Sequence, residues 1–210
     1  MSAKRATGLA FAATLLAAGA AGPTGAQQKT ETAIFAGGCF WCVESDFDHV
    51  TGVLDTTSGY TGGSLKDPTY HQVSAGGTGH YESVRITFDP SKVSYAQLLD
   101  AYWHSVDPTD GSGQFCDRGA SYKTAIFATS DAQLKEAQAS EAAIEKDLGR
   151  KVATKVVPAS TFYPAEDYHQ DYYEKNPLKY RYYRYACGRN ARVEEVWGDK
   201  AYEGIKDHSS

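Results

Sequence analysis

Two consecutive glycines, Gly37 and Gly38, separate a short apolar run, Thr32-Ala33-Ile34-Phe35-Ala36, from Cys39-Phe40-Trp41-Cys42. The run reads as a buried strand, and Phe40, Val43, Phe47 and Val50 recur at helical spacing. Glycine adopts backbone conformations that a Cβ forbids, so the pair supplies the tight turn between the two elements. The chain is thereby committed to a strand–turn–helix unit with a cysteine at the helix start. A helix N-terminus carries partial positive charge and free N–H groups. A thiol placed there is expected to ionise more readily than usual and to act as a nucleophile. Phe40 and Trp41 beside it can wall an apolar pocket.

The same kind of patterning extends along the chain. Strands are predicted at residues 32–36, 52–58, 81–88, 122–129 and 155–158, and helices at 39–49, 68–74, 95–105, 131–148 and 165–176. Ser94 caps the third helix, Gly149 stops the fourth, and the last ends before Pro177. Residues 59–63 and 108–119 read as glycine-rich loops. Alternating strands and helices imply an α/β or α+β domain in which helices cover a sheet. A dense set of tyrosines between residues 162 and 185 reads mainly as aromatic packing of a tail against that domain.

The chain has 210 residues and a formal net charge of −5. That length supports one domain with a sizeable core. The acidic balance and the lack of a basic run exclude a general nucleic-acid role. Residues 1–26 read as a secretory signal peptide: Lys4 and Arg5, an apolar stretch over 9–21, then Thr24-Gly25-Ala26. The stretch is short of the roughly 20 residues of a membrane span. The expectation is an exported protein, periplasmic or secreted, with a single domain over residues 27–210 and no membrane association once the leader is gone. Exported proteins with an even number of cysteines usually hold structural disulfides, so the four here, Cys39, Cys42, Cys116 and Cys187, are open to that reading too. The one methionine is Met1. A mature chain without methionine has no side chain to lose to sulfoxide formation.

Several residue types offer chemistry. Glu82 stands at the start of an apolar strand in phase with Val84 and Ile86, so its carboxyl is expected to point inward. Burial raises a carboxyl pKa, and a neutral carboxyl can serve as a general acid. Tyr70 and Tyr122 can donate hydrogen bonds to a substrate oxygen. Asp117 lies in a loop. His169 is placed to bond a buried carboxylate. Cys39 and Cys42 have CxxC spacing, which at a helix start suits disulfide exchange. No second CxxC accompanies them, so no metal site is expected.

Five separated motifs, in order, resemble those of the A-type peptide-methionine sulfoxide reductases. They are Gly38-Cys39-Phe40-Trp41, Asp67-Pro68-Thr69-Tyr70, Thr78-Gly79-His80-Tyr81-Glu82, Asp117-Arg118-Gly119 with Ser121-Tyr122, and Phe162-Tyr163 with Ala165-Glu166 and His169-Gln170. The resemblance implies an α+β fold: a two-layer sandwich with a mixed sheet, a ferredoxin-like core and a long coiled C-terminal tail. It implies reduction of the S epimer of methionine sulfoxide, free or in proteins. Cys39 then matches the nucleophile, Phe40 and Trp41 the methyl pocket, Glu82 the acid, Tyr70 and Tyr122 the phenols on the sulfoxide oxygen. Asp117 matches a carboxylate that organises them. No bound cofactor is implied. A second cysteine closes a disulfide, and an external dithiol such as a thioredoxin-like protein reopens it. The chain is expected to act as a monomer.

The chain departs from the family's commonest pattern at its other cysteines. Cys42 stands where glycine is usual and Cys116 where asparagine is common, and Cys187 follows the tyrosine-rich tail. Cys187 is the expected resolving residue, because a flexible tail can reach Cys39. Cys42 and Cys116 are the alternatives. Two rival readings remain: a thiol–disulfide oxidoreductase using Cys39 and Cys42, and a secreted domain stapled by two disulfides.

Overall fold

The computed structural model describes residues 29–206 together with Ala3. The leader assigned to residues 1–26 lies, Ala3 aside, outside the described residues.

Four strands build the centre: β1 (Glu31–Gly37), β2 (Val53–Thr61), β3 (Tyr81–Phe88) and β6 (Thr124–Ala128). They lie in the order β6-β1-β3-β2, and every neighbouring pair is antiparallel. Helix α1 (Phe40–Asp48) joins β1 to β2, and α3 (Tyr95–Trp103) follows β3, which makes the ferredoxin-like core. Strand β7 (Lys155–Pro158) joins β6 in parallel and makes the sheet mixed. The short β8 (Tyr163–Pro164) closes the other edge against β2. Helix α4 (Asp131–Leu148), capped by Ser130 and ended at Gly149 in a left-handed conformation, packs on α3. The architecture is the expected α+β sandwich. One apolar layer lies between sheet and helices, with Phe35, Phe47, Ile86, Leu98, Tyr102 and Trp103 fully buried.

Small departures from the periodicity have local causes. Residues 59–61 continue β2 instead of opening a loop. Gly59 sits in the strand because a Cβ there would stand 2.4 Å from the Tyr163 carbonyl oxygen of β8. Residues 120–122 form a 3-10 turn, so β6 starts at Thr124. The segment predicted as a helix over 165–176 is mostly turns, with only α5 (Tyr172–Lys175) helical. Its backbone is held from outside: Gln170 bonds Ser58 N–H and C=O at 2.9 and 3.0 Å.

The tail expected as a long coil is instead a helix pair, α6 (Pro177–Ala186) and α7 (Arg189–Trp197). Pro177 opens α6, where its fixed φ and missing N–H are harmless. Tyr180 and Arg184, one turn apart, face inward, as do Val193 and Trp197 on α7. Trp197 donates its indole N–H to the Val106 carbonyl at 2.8 Å. Charged residues between the apolar positions hid this periodicity. Between β3 and β6 a two-strand ribbon, β4 (Gly113–Gln114) and β5 (Asp117–Arg118), turns through Phe115 and Cys116. Helix α2 (Tyr70–Ala75) starts at a capping box formed by Thr69 and Gln72.

Trp197→Ala is expected to lower stability by about 3 kcal/mol or more, the range for a buried aromatic cut to alanine. Urea unfolding is the measurement. A loss under about 1 kcal/mol would mean that the tail merely decorates the domain.

Candidate active site

The site forms where β1 turns into α1. Gly38 adopts φ +86°, and a Cβ there would meet the Cβ of Gln114 at 2.6 Å. Gln114 is pinned in turn by hydrogen bonds with the N–H and C=O of Asp107, at 2.9 and 2.8 Å. Cys39 is the N-cap residue of α1, and its carbonyl accepts from Cys42 N–H at 3.1 Å. Cys42 is therefore the third residue of the helix. N-cap and third-residue side chains face each other, as in a capping box. The two thiols stand close enough to influence each other's titration. Both sulfurs are unbonded and buried, Cys39 at 7% and Cys42 at 2% exposure.

The helix end does not activate Cys39 in the expected way. Phe40 N–H, the first free donor of α1, points to Glu82 Oε2 at 3.1 Å. Burial pushes the Cys39 thiol well up, and its bond to Cys42 and the Cys42, Glu82 and Asp117 charges add to this. Cys42 moves the other way: the Cys39 hydrogen bond lowers it against burial, and the Arg189 and Arg184 charges help. Of the two thiols, Cys42 is thus the one that ionises more readily. Glu82 points inward from β3, as its strand phase predicts, with 2% exposure. Burial raises its pKa to about 8, against the Phe40 N–H and with the help of Asp117 and Cys42. Its carboxyl is neutral at pH 7.

Every expected pocket residue converges here. Cys39, Phe40, Trp41, Tyr70, Glu82, Asp117 and Tyr122 line one cavity of about 60 Å³. Tyr70 lies at the first turn of α2, fixed by its backbone N–H to Glu166 Oε1 at 2.9 Å. Burial raises the pKa values of both Tyr70 and Tyr122, so both phenols remain protonated donors. His169 is not on a carboxylate. Its Nδ1 accepts the Trp41 indole N–H at 3.0 Å, and burial keeps the ring neutral by lowering its pKa. Trp41 is further clamped by Tyr172, stacked at 3.7 Å between ring centroids.

One pocket residue escaped the sequence reading. Tyr183 lines the cavity, meets Trp41 edge-on, and donates its hydroxyl to Asp117. The clue available was its position one helical turn before Cys187. Glu166 was also missed as a positioning group: it accepts from the Tyr60 hydroxyl at 2.9 Å as well as from Tyr70.

Cys187, expected to reach Cys39, is bonded to Cys116, across a Cα–Cα distance of 4.9 Å. The tail is a fixed helix pair, so Cys187 sits at the α6 end, over the β4–β5 turn. The bridge still borders the site, because Cys187 Sγ lies 3.9 Å from Asp117 Oδ2. Cys116 is exposed, and Cys187 partly so. Cys116, Asp117 and Cys187 together bring three donor atoms within 4.8 Å of one another, but with the bridge closed no thiolate is offered to a cation.

The family model for peptide methionine sulfoxide reductase matches residues 31–201. The chain belongs to that family. It is 55% identical over 177 residues to peptide methionine sulfoxide reductase MsrA 2 of Rhizobium meliloti, covering 84% of this chain and 88% of that one. It is 53% identical to MsrA 2 of Caulobacter vibrioides, covering 90% and 96%. Among solved structures, reduced Mxr1 from Saccharomyces cerevisiae superposes with a TM-score of 0.68 at 32% identity, over 71% of this chain and 87% of that chain. Methionine sulfoxide reductase A of Corynebacterium diphtheriae gives 0.66 at 32% identity, over 72% and 77%.

The cysteine states of this reductase are directly countable. Denatured without reductant, the protein is expected to yield two titratable thiols, with Cys116 and Cys187 recovered as one disulfide-linked peptide pair. Four thiols, or a bridge that involves Cys39, would contradict the arrangement.

Proposed function

We propose that this chain reduces the S epimer of methionine sulfoxide, free or within proteins, with Cys39 as nucleophile and Glu82 as acid. Family membership makes it a thiol-dependent reductase of methionine sulfoxide. The observation that carries the finer reading is the neutral, buried carboxyl of Glu82 in the same small cavity as the Cys39 thiol. A sulfoxide sulfur is weakly electrophilic and its oxygen a poor leaving group. A proton delivered to that oxygen makes attack by sulfur feasible, and a desolvated site strengthens the transfer.

The cavity suits a methyl sulfinyl group rather than a whole residue. Phe40 and Trp41 provide apolar walls for the methyl. Tyr70 and Tyr122 are protonated phenols that can hold the oxygen beside Glu82. Asp117 keeps Tyr183 in place at the rim. Sulfur attack and proton delivery pass the oxygen to Cys39 as a sulfenic acid and release methionine. Because Cys116 and Cys187 reach the surface, an external dithiol of thioredoxin type can attack their bridge by thiol–disulfide exchange. The leader-like residues 1–26 support an exported enzyme, periplasmic or secreted, supplied by a reductant outside the cytosol. Nothing in the pocket needs a second chain, in keeping with a monomer.

A general thiol–disulfide oxidoreductase would also use Cys39 and Cys42, which stand at the N-cap and third position of α1. It fits less well: both sulfurs are buried from a protein partner, and Glu82, Tyr70 and Tyr122 would have no task.

Cys39→Ser is expected to abolish methionine release from the S-sulfoxide while the fold persists by circular dichroism. Retained single-turnover release would move the nucleophile elsewhere. Glu82→Gln is expected to slow single turnover by about 100-fold or more, the usual span for loss of a general acid. Glu82 is neutral below its raised pKa and charged above it, so the wild-type rate should have a descending limb above about pH 8. That limb should vanish in Glu82→Gln. A limb that survives belongs to another group.

A further inference from the structure

Residues 165–171 form turns rather than a helix, yet with Tyr172 they hold two walls of the cavity. Glu166 fixes Tyr70, and His169 and Tyr172 fix Trp41. This strap must itself be fixed. On one side Gln170 ties it to Ser58 of β2 and donates to the Ala165 carbonyl at 2.9 Å. On the other side the partner is α1. Trp41, Glu44 and Asp48 are three and four residues apart, so they share one face of that helix. Trp41 meets His169 and Tyr172, and Asp48 accepts the Tyr173 hydroxyl at 3.0 Å. Between them Glu44 Oε2 accepts the Asp171 backbone N–H at 2.9 Å. Asp171 has φ +52°, a left-handed conformation that a non-glycine residue keeps only where its surroundings fix it. Glu44 is buried, at 0% exposure. Burial, and then the Asp48 and Asp171 charges, raise its pKa to about 7, so it is not held here as a counter-charge. A buried carboxyl is unfavourable unless it is hydrogen-bonded. What this one provides is the bond to the strap.

We propose that Glu44 is a positioning residue for this reaction: through the Asp171 N–H it anchors the strap to α1, and the strap sets the Trp41 indole that walls the methyl pocket. This deepens the function proposed above and rests on Trp41 forming that wall. The route is short. Asp171 lies between His169 and Tyr172 in the chain. His169 Nδ1 accepts the Trp41 indole N–H at 3.0 Å. Tyr172 covers the indole face at 3.7 Å, with 7° between the ring planes. A strap tied to α1 at Asp171 therefore holds the edge and the face of the indole at once. Released there, Asp171 is free to leave the left-handed conformation, and both contacts shift together. The cavity is about 60 Å³, so its fit depends on where this one ring stands. A misplacement of about 1 Å in a reacting geometry can cost about 100-fold in rate. Glu44 does not line the cavity, so it acts on the substrate only through the ring. The bond needs an acceptor oxygen and not a charge, so an amide can replace the carboxyl.

Two readouts separate this role from plain stability, and the first needs no turnover. The chain has three tryptophans, Trp41, Trp103 and Trp197. Their indole N–H signals in a nitrogen–proton correlation spectrum are assigned with Trp41→Phe. Glu44→Met removes the acceptor at similar length. It is expected to move the Trp41 signal and speed its hydrogen exchange, with Trp103 and Trp197 unchanged as the check on the fold. Glu44→Gln should leave all three signals in place. Glu44→Asp draws the acceptor back by one methylene and should move the same signal, which serves if Glu44→Met does not fold. A Trp41 signal that stays put in folded Glu44→Met or Glu44→Asp would overturn the proposal. So would a Glu44→Gln signal displaced as far as that of Glu44→Met. The second readout is kinetic. Glu44→Met should lower kcat/KM for methionine S-sulfoxide by about 10- to 100-fold, and Glu44→Gln should restore most of the loss. In a Trp41→Leu background Glu44→Met should add little, because the two residues act as a unit. Fully additive losses would overturn the route through Trp41. A wild-type chain inert towards the sulfoxide would refute the function proposed above instead, and the indole signals would still decide whether Glu44 sets the ring.

Discussion

The hydrogen bond from Phe40 N–H to Glu82 Oε2 is the contact on which the site depends. It joins the first turn of α1 to a central strand of the sheet, and so sets Cys39 and Glu82 at a fixed separation. It also decides the electrostatics. A donor at a helix start normally favours an anion, yet desolvation of Glu82 outweighs that single bond and keeps the carboxyl neutral. The same burial leaves Cys39 protonated. The site is therefore built to move protons within a dry cavity.

Everything around that contact restricts motion. Gly38 lets β1 pass tightly beneath Gln114, which fixes where α1 begins. Glu166 holds Tyr70, and His169 holds Trp41 through its indole nitrogen. Neither lines the cavity. Each orients a ring that does, and preorganisation of this kind reduces the reorganisation needed when charge develops.

The C-terminal helices perform two tasks from one set of residues. Their inner faces complete the core through Tyr180, Val193 and Trp197 and deliver two arginines to the back of α1. Their junction carries Cys187 to the exposed β4–β5 turn. Removing Asp46 would leave two buried guanidinium charges uncompensated, a loss that commonly reaches about 3–5 kcal/mol for a buried pair. A segment anchored in this way cannot swing into the cavity, and that is why its cysteine pairs at the surface.

Local sequence settled whatever depends on neighbours in the chain. Strand phase was enough to turn Glu82 inward, and the Gly37-Gly38 pair before an amphipathic run was enough to set Cys39 at a helix start. Ser94 and Gly149 marked helix ends because caps act within one turn. The motifs also named Tyr70, Tyr122, Asp117, Phe40 and Trp41 as partners, although no spacing could say that they share one cavity. Tertiary structure alone decided the rest. It made the tail helical through burial of alternate residues between charges, brought Tyr183 onto Asp117, and joined Cys187 to Cys116. It also overturned the expected activation of Cys39 by the helix end, because burial pushes that thiol up. Ionisation depends on desolvation and on charges many residues away, Arg184 and Arg189 above all, and those distances are set only when the chain folds back on α1.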